Sequence, residues 1–153
     1  MGFEQRARDA GVDLDMPLIK AGKFDLVVQA HDIAYVAGSI ALQDGGIAFQ
    51  GRLGADVDVD TGQAAARGAA VAVLAALHQH LGSLDRVRRV LRLTGYVTSA
   101  PGFGDQPKVI NGASDLMIEV FGDTGRHARS AIGVAELPLG ASVEVEGIFQ
   151  VEG

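Results

Sequence analysis

The sequence predicts an α+β fold in which two helices cover one face of a mixed β-sheet. Apolar residues recur with helical spacing in two long segments, and segments with alternating side chains lie before, between and after them. At 153 residues the chain has the length of one domain, so we expect a single domain over residues 1–153.

The helices are predicted from their spacing and their end signals. A short, weakly amphipathic helix at residues 2–10 begins an N-terminal extension over residues 1–23. The two long helices cover residues 61–81 and 108–121. Asp60 or Thr61 is the expected N-cap of the first long helix, and Gly82 and Gly122 are expected to end the two helices.

The strands are predicted from alternating and β-branched side chains. They cover residues 24–31, 33–42, 86–98, 128–136 and 142–151. The sequence Asp44-Gly45-Gly46 within residues 41–49 is typical of a hairpin turn. The last two strands are also predicted to form a hairpin, with its turn at Pro138-Leu139-Gly140.

A second apolar face is expected on this sheet, because two helices cannot cover both sides. The residues assigned to it are Val90, Tyr96, Ile132, Val134 and Ile148. Copies of the chain can bury such a face against one another, so we expect an oligomer.

Composition and charge exclude several classes of function. The net charge of −6 disfavours nonspecific binding to nucleic acid or to an anionic membrane. The chain has no cysteine, which excludes disulfides, zinc–thiolate sites and cysteine nucleophiles. No apolar run reaches membrane-spanning length, and no signal segment is recognised, so we expect a cytoplasmic protein without a membrane partner.

No metal or nucleic-acid motif is found either. His78 and His80 are two residues apart on a helix, so they point to different faces and cannot chelate one metal well. The basic run RVRRVLRL has no aromatic platform beside it, which favours a solvated or interface strand over an RNA site. We therefore expect no metal and no nucleic-acid partner.

Arg129 and Glu144 are the candidate chemical residues, since each lies among apolar and small residues in the last two strands. The planar guanidinium of arginine suits a carboxylate ligand. On neighbouring strands, however, an arginine and a glutamate more often form a structural ion pair. The residues alone leave both interpretations open.

A family resemblance favours the functional interpretation. The stretch HARSAIGVAELPLGASVEVEG resembles the C-terminal signature of the RidA/YjgF family, also called endoribonuclease L-PSP or translation inhibitor. His127 stands where the family usually has proline, and the match then runs from Ala128 to Glu146. YVAGSIAL, SLDRVRRVLRLTGYVTSAPGF and KVINGASDLMIEVFG resemble upstream parts of the family, from about Phe24 onward. The N-terminal helix is similar to that of a divergent subgroup.

The resemblance implies a chorismate-mutase-like fold, a homotrimer with clefts between subunits, and no cofactor. It also implies hydrolysis of reactive enamines and imines, derived from amino acids, to 2-keto acids and ammonia. Arg129 matches the arginine that holds the substrate carboxylate, and Glu144 matches the glutamate that holds the attacking water. Asn111 and Gly38 match residues near the cleft.

The chain departs from the family at four positions around this site. The family tyrosine falls on Phe24, the serine on Ala37, the glutamine on Ser39 and the cysteine on Ala131. A backbone carbonyl at Ala131 still suits the orientation of a water. The substrate is therefore expected to meet Phe24, Gly38, Asn111 and Ala131.

Two other functions are also compatible with the sequence. One is a non-catalytic sensor that binds small carboxylates through Arg129. The other is an RNA nuclease or translation inhibitor, which the acidic net charge disfavours.

Overall fold

The computed structural model describes the whole chain from Met1 to Gly153. Its helices are α1 (Phe3–Asp9), α2 (Val59–Leu81) and α3 (Gln106–Phe121). Its strands are β1 (Val27–Ala30), β2 (Ile33–Ser39), β3 (Leu42–Gln43), β4 (Gly46–Ile47), β5 (Val87–Thr98), β6 (Ala128–Val134) and β7 (Val143–Val151). None of the helices combines the length and apolarity needed to span a bilayer.

The main sheet has the strand order β1-β2-β7-β5-β6. Strands β5 and β6 run parallel and the other neighbours run antiparallel, so the sheet is mixed. Helices α2 and α3 pack together against one face, which confirms the predicted α+β architecture. Strands β3 and β4 form the separate predicted hairpin, and its turn residues Asp44 (φ 53°) and Gly45 (φ 77°) adopt the left-handed backbone that a tight hairpin turn requires.

The predicted hairpin between the last two strands is wrong, because β5 lies between β6 and β7. The chain leaves β5, forms α3 on the face of the sheet, and returns as β6 parallel to β5, as a strand–helix–strand crossover does. The segment after β6 then pairs with residues 49–51, where Ser142 donates its N–H to Phe49 O at 3.2 Å. The chain then continues into β7, which pairs with β5 on the side opposite to β6.

The helix ends follow local hydrogen bonding. Helix α2 begins at Val59, two residues before the predicted start, because the Asp58 carboxylate accepts the Thr61 N–H at 2.8 Å. Asp60 and Thr61 therefore lie inside the helix. Its predicted end is confirmed, since Gly82 adopts φ 84° and donates its N–H to His78 O. Helix α3 begins two residues early, at Gln106, with Pro107 in its first turn.

Small residues bring the two long helices close together. The buried face of α2 is mostly alanine. Gly112 of α3 lies directly against the Gln63 carbonyl of α2, and a Cβ there would collide with that backbone. This close approach fixes the face of α3 that carries Asn111.

The N-terminal extension belongs to the core. Leu14 is fully buried, and one apolar cluster runs from Ala7 to Val151. Glu4 accepts a hydrogen bond from Ser83 Oγ at 2.8 Å, which ties α1 to the end of α2. The predicted strand at residues 24–31 begins only at Val27, which lies opposite Val36 at the end of the β1–β2 ladder, although the Ala37 N–H still donates to the Leu26 carbonyl at 2.9 Å.

The second face of the sheet is open in the chain, as predicted. Side chains of β7 alternate strictly, with Val143 and Val145 buried and Glu144 and Glu146 partly exposed on the open side. Val28, Tyr35 and Ile132 lie on this face with about half of their surfaces exposed. Its predicted members Tyr96, Val134 and Ile148 are partly exposed.

Val90 was assigned to this open face incorrectly. It is fully buried against the helices. Two register shifts between β5 and β7 flank it, at Val87/Arg89 and at Val90/Arg92, and they break the simple alternation.

Candidate functional site

Arg129 is held against α3 by three hydrogen bonds. Its Nη1 donates to Asn111 Oδ1 at 2.8 Å and to Ser114 Oγ at 3.1 Å, and its Nη2 donates to the Pro107 carbonyl at 3.1 Å. Asn111 and Ser114 are three residues apart on α3, so they lie on the same side of the helix. The guanidinium therefore has a fixed position at the outer edge of the sheet.

The charge of Arg129 is not neutralised within the chain. All three acceptors are uncharged, and no carboxylate lies within ion-pair distance of its guanidinium, whereas Arg8, Arg52, Arg67 and Arg126 each have such a partner. The Nε N–H and the second Nη2 N–H remain free for a ligand. A planar pair of donors of this kind suits a carboxylate.

Ser114 also joins Arg129 to His127, a link that was not predicted from the sequence. His127 Nδ1 lies 2.6 Å from the Gly125 carbonyl, and its Nε2 lies 2.9 Å from Ser114 Oγ. A carbonyl only accepts, so Nδ1 carries a proton, and in the neutral imidazole Nε2 then accepts the Ser114 hydroxyl. Ser114 Oγ in turn accepts from Arg129. The spacing of Ser114 three residues after Asn111 is the sequence signal that would have identified it.

The surroundings of His127 favour its neutral form. Burial lowers its pKa below the ordinary value, the Gly125 hydrogen bond opposes this change, and the Arg129 charge adds to it. A neutral imidazole adds no positive charge beside Arg129, and the neighbouring cation Arg126 is paired with Asp123.

Glu144 lies in β7 on the open face, opposite Tyr96. It is half-buried and accepts no hydrogen bond within the chain, whereas its neighbour Glu146 accepts one from Tyr96 Oη at 2.9 Å. Burial, and secondarily the charge of Glu146, raise the pKa of Glu144. A carboxylate of raised pKa with free lone pairs is suited to accept a proton from water.

Gly38 and Phe24 share a cavity with Glu144. This cavity has a volume of about 240 Å³. A Cβ on Gly38 would lie 2.7 Å from Glu144 Oε2, so the glycine leaves the space that the carboxylate occupies. Phe24 lies at the cavity with 44% of its surface exposed.

The structure thus divides the predicted residues into two groups. Arg129 and Asn111 lie together, and Glu144, Gly38 and Phe24 lie together. Arg129 on β6 lies opposite Leu93 on β5, and Leu93 is fully buried under the helices. The Arg129 side chain is therefore on the helix side of the sheet, whereas the Glu144 side chain is on the open side. The structural ion pair between Arg129 and Glu144 is therefore not formed within the chain.

Ala131 lies near the first group. It is two residues after Arg129 on β6 and partly buried. Strand β6 is at the edge of the sheet, so backbone groups along its outer side have no neighbouring strand. No three histidine, aspartate or glutamate side chains form a group that could hold a metal ion.

Comparisons with known proteins agree with this fold and sequence pattern. The curated protein TCP17 of Trypanosoma cruzi is 48% identical over 118 residues, which span 76% of this chain and 74% of that protein. The crystal structure of Atu1372 from Agrobacterium tumefaciens, whose function is unknown, is 39% identical with a TM-score of 0.89, covering 99% of this chain and 94% of that one.

Two further structures bear family names. The structure of a candidate endoribonuclease from Shewanella oneidensis MR-1 is 30% identical with a TM-score of 0.94, covering 99% of this chain and all of that one (100%). RidA from a Psychrobacter species is 20% identical with a TM-score of 0.62, covering 90% of this chain and 95% of that one, so it shares the fold. Residues 4–149 match the model of the YjgF/chorismate mutase-like endoribonuclease family. The chain belongs to this family.

Proposed function

We propose that the protein hydrolyses reactive enamines and imines derived from amino acids, giving 2-keto acids and ammonia. The observation that carries the proposal is the state of Arg129, a cation fixed by three uncharged acceptors and left with free N–H groups. Such a group binds a carboxylate without first breaking an ion pair.

The reaction is proposed to occur in a cleft between subunits of a homotrimer. Arg129 and Glu144 belong to opposite sides of the sheet in one chain, so neither group is a complete site. In a closed ring whose interfaces join these two sides, Arg129 of one subunit meets Glu144 of the next at every interface. The apolar residues on the open face support such an assembly.

Hydrolysis then needs three groups. Arg129 fixes the substrate carboxylate, which orients the C=N carbon toward a water next to Glu144. As the water oxygen attacks this carbon, Glu144 accepts one water proton and passes it to the imine nitrogen, giving a neutral carbinolamine. Glu144 then accepts the proton of the carbinolamine hydroxyl and passes it to the amino nitrogen, so that the C–N bond breaks as the C=O bond forms and ammonia leaves. The carbon is already electrophilic, so these residues suffice for the chemistry.

A carboxylate sensor without turnover is the second candidate, since the same free N–H groups of Arg129 favour it. Some related structures are named as endoribonucleases. The net charge of −6 disfavours this activity here, because binding to RNA requires a cationic surface.

The decisive experiment compares wild type, Arg129→Lys, Glu144→Gln and the double variant. Ammonia release from imines made in solution by an amino-acid oxidase is measured beside the melting temperature. We expect near-normal melting and loss of turnover in every variant, with a higher KM for Arg129→Lys and a lower kcat for Glu144→Gln. Binding of 2-keto acids by a wild type that releases no ammonia would establish the sensor instead.

A further inference from the structure

Ser114 and His127 form a hydroxyl–imidazole pair at the surface of the protein. Ser114 Oγ lies 2.9 Å from His127 Nε2, and both side chains line a shallow cavity of about 250 Å³. The hydroxyl of a serine inside a helix often bonds a carbonyl of the preceding turn. With a neutral imidazole, the Ser114 hydroxyl instead donates to the histidine, as a nucleophile does to its general base.

The histidine is oriented to act as a base. Its Nδ1 donates to the Gly125 carbonyl at 2.6 Å, which directs the lone pair of Nε2 toward Ser114. Gly125 is buried, and a Cβ there would collide with the Met117 carbonyl, so close packing holds the accepting group in place. Burial lowers the pKa of His127, which favours the neutral form that can accept a proton.

Hydrogen-bond donors for a developing oxyanion line the same cavity. Arg129 Nη1 donates to Ser114 Oγ at 3.1 Å, so the guanidinium and its free N–H groups lie beside the attacking atom. Asn111 uses its Oδ1 to accept from Arg129, and its amide N–H groups have no acceptor within the chain. An oxyanion formed next to Ser114 would therefore meet donors that are already in place.

We propose that Ser114 is a nucleophile with His127 as its general base, and that the protein hydrolyses small esters with short acyl groups at this cavity. The short acyl group follows from the lining, in which Ile118 is the one apolar residue among six. This activity goes beyond the proposed function and does not use Glu144, which lies on the other side of the sheet.

The reaction needs water as its only co-reactant. Ser114 Oγ attacks the ester carbonyl carbon while its proton passes to His127 Nε2, and the carbonyl oxygen becomes the oxyanion. The C–O bond to the leaving group then breaks as that group takes the proton from His127, which leaves an acyl ester on Ser114. Water attacks this ester with its proton passing to His127, and the acid leaves as that proton returns to Ser114 Oγ.

The test begins with the unmodified protein. It is treated with diisopropyl fluorophosphate or with para-nitrophenyl acetate, and the modified residue is located by mass spectrometry of its peptides. We expect both reagents to modify Ser114, and the acetate ester to release nitrophenolate in a burst. Ser130 should stay unmodified, because it accepts from Arg92 at 2.7 Å but has no histidine bonded to it.

The pH dependence reports the base. Only neutral His127 accepts the serine proton, so the rate of modification should be constant from about pH 7 to pH 9. It should fall only at a pH below the ordinary histidine pKa of 6.5, because burial lowers the pKa of His127. A rate that rises in proportion to hydroxide over this range would exclude His127 as the base.

Variants assign the two roles. His127→Gln should lower the rate of modification by about 100-fold or more, which is the usual contribution of a general base. Ser114→Ala should abolish the modification. Ser130→Ala is the matched control, since it removes a serine that is also bonded to an arginine, and it should keep the wild-type rate. The measurements on the unmodified protein decide the proposal even where a variant does not fold.

Three results would overturn the proposal and leave Ser114 as a structural link between Arg129 and His127. They are no modification of Ser114 by either reagent, modification spread evenly over several serines, and an unchanged rate in His127→Gln. Ammonia release from imines is measured separately. Modification of Ser114 in a protein that hydrolyses no imine would support this inference while the proposed function fails, and imine hydrolysis without modification would do the reverse.

Discussion

Gly38 and Glu144 are in contact across the strands β2 and β7, and a Cβ at Gly38 would lie 2.7 Å from Glu144 Oε2. The Gly38→Ala variant should therefore displace the carboxylate while leaving the fold intact, since Gly38 is exposed at the end of β2. A shift of about 1 Å in a catalytic group lowers the rate by about 100-fold, so we expect kcat for ammonia release to fall between 10- and 100-fold.

Gly104→Ala is the control for this substitution, because a Cβ at Gly104 meets no atom within 4 Å. It should keep the wild-type kcat and melting temperature. Wild-type kcat in Gly38→Ala would show that the position of this carboxylate does not limit the reaction.

Asn111→Asp should block substrate binding with almost no change in shape. Asn111 Oδ1 accepts from Arg129 Nη1 at 2.8 Å, so an aspartate there would form an ion pair with the guanidinium and compete with the substrate carboxylate. We expect KM to rise about tenfold or more, and the melting temperature to stay the same or rise. Asp115→Asn, a charge change at an exposed position of the same helix, is the control. An unchanged KM in Asn111→Asp would exclude Arg129 as the carboxylate site.

The stability of the protein should depend on pH through Glu144. Its pKa in the folded protein is raised by burial and by the charge of Glu146. The folded state therefore binds this proton more tightly than the unfolded state, and stability is lost as pH rises from the unfolded pKa through the folded pKa. Glu144→Gln removes that loss, so it should raise the melting temperature at about pH 7 more than at about pH 4.

Glu136→Gln is the control for this measurement, since Glu136 is exposed and forms no ion pair. It should show no such dependence. A melting temperature of Glu144→Gln that lies below wild type at neutral pH would show that the carboxylate stabilises the fold.

The sequence predicted the layers of the fold well, because helical and strand periods are local. The order of the strands depends on contacts between distant parts of the chain. The segments around Arg129 and Glu144 therefore predicted a hairpin, whereas in the structure α3 connects β5 to β6, and β6 pairs with β5 at the edge of the sheet. Val90 was misplaced for a similar reason, since register shifts depend on the partner strand. In the site, the residues themselves pointed to Arg129 and Glu144 and the resemblance favoured a functional role for them, but only the structure showed that Ser114 accepts from the guanidinium and is itself bound to His127.

His127 should titrate below the ordinary histidine value of 6.5, because burial and the Arg129 charge disfavour its protonated form. In ¹⁵N NMR spectra its Nδ1 should carry the proton at neutral pH, as the Gly125 carbonyl requires. Arg129→Met should raise the pKa of His127, while Arg126→Met, which removes a cation paired with Asp123, should change it less. A proton on Nε2, or a pKa at or above the ordinary value, would contradict this network.

Mixed oligomers of Arg129→Met and Glu144→Gln test whether a site is built from two subunits. Arg129 and Glu144 lie on opposite sides of the sheet, so each complete site needs Arg129 from one chain and Glu144 from the next. Each variant alone should then be inactive, because every interface lacks one group. In trimers formed by random mixing of the two chains, about a quarter of the interfaces receive both wild-type residues, so about a quarter of the wild-type activity should return. Light scattering on the same samples checks for the mass of a trimer. A mixture as inactive as its components, with exchange of subunits verified by mass spectrometry, would place both residues in one chain's site or exclude them from the chemistry.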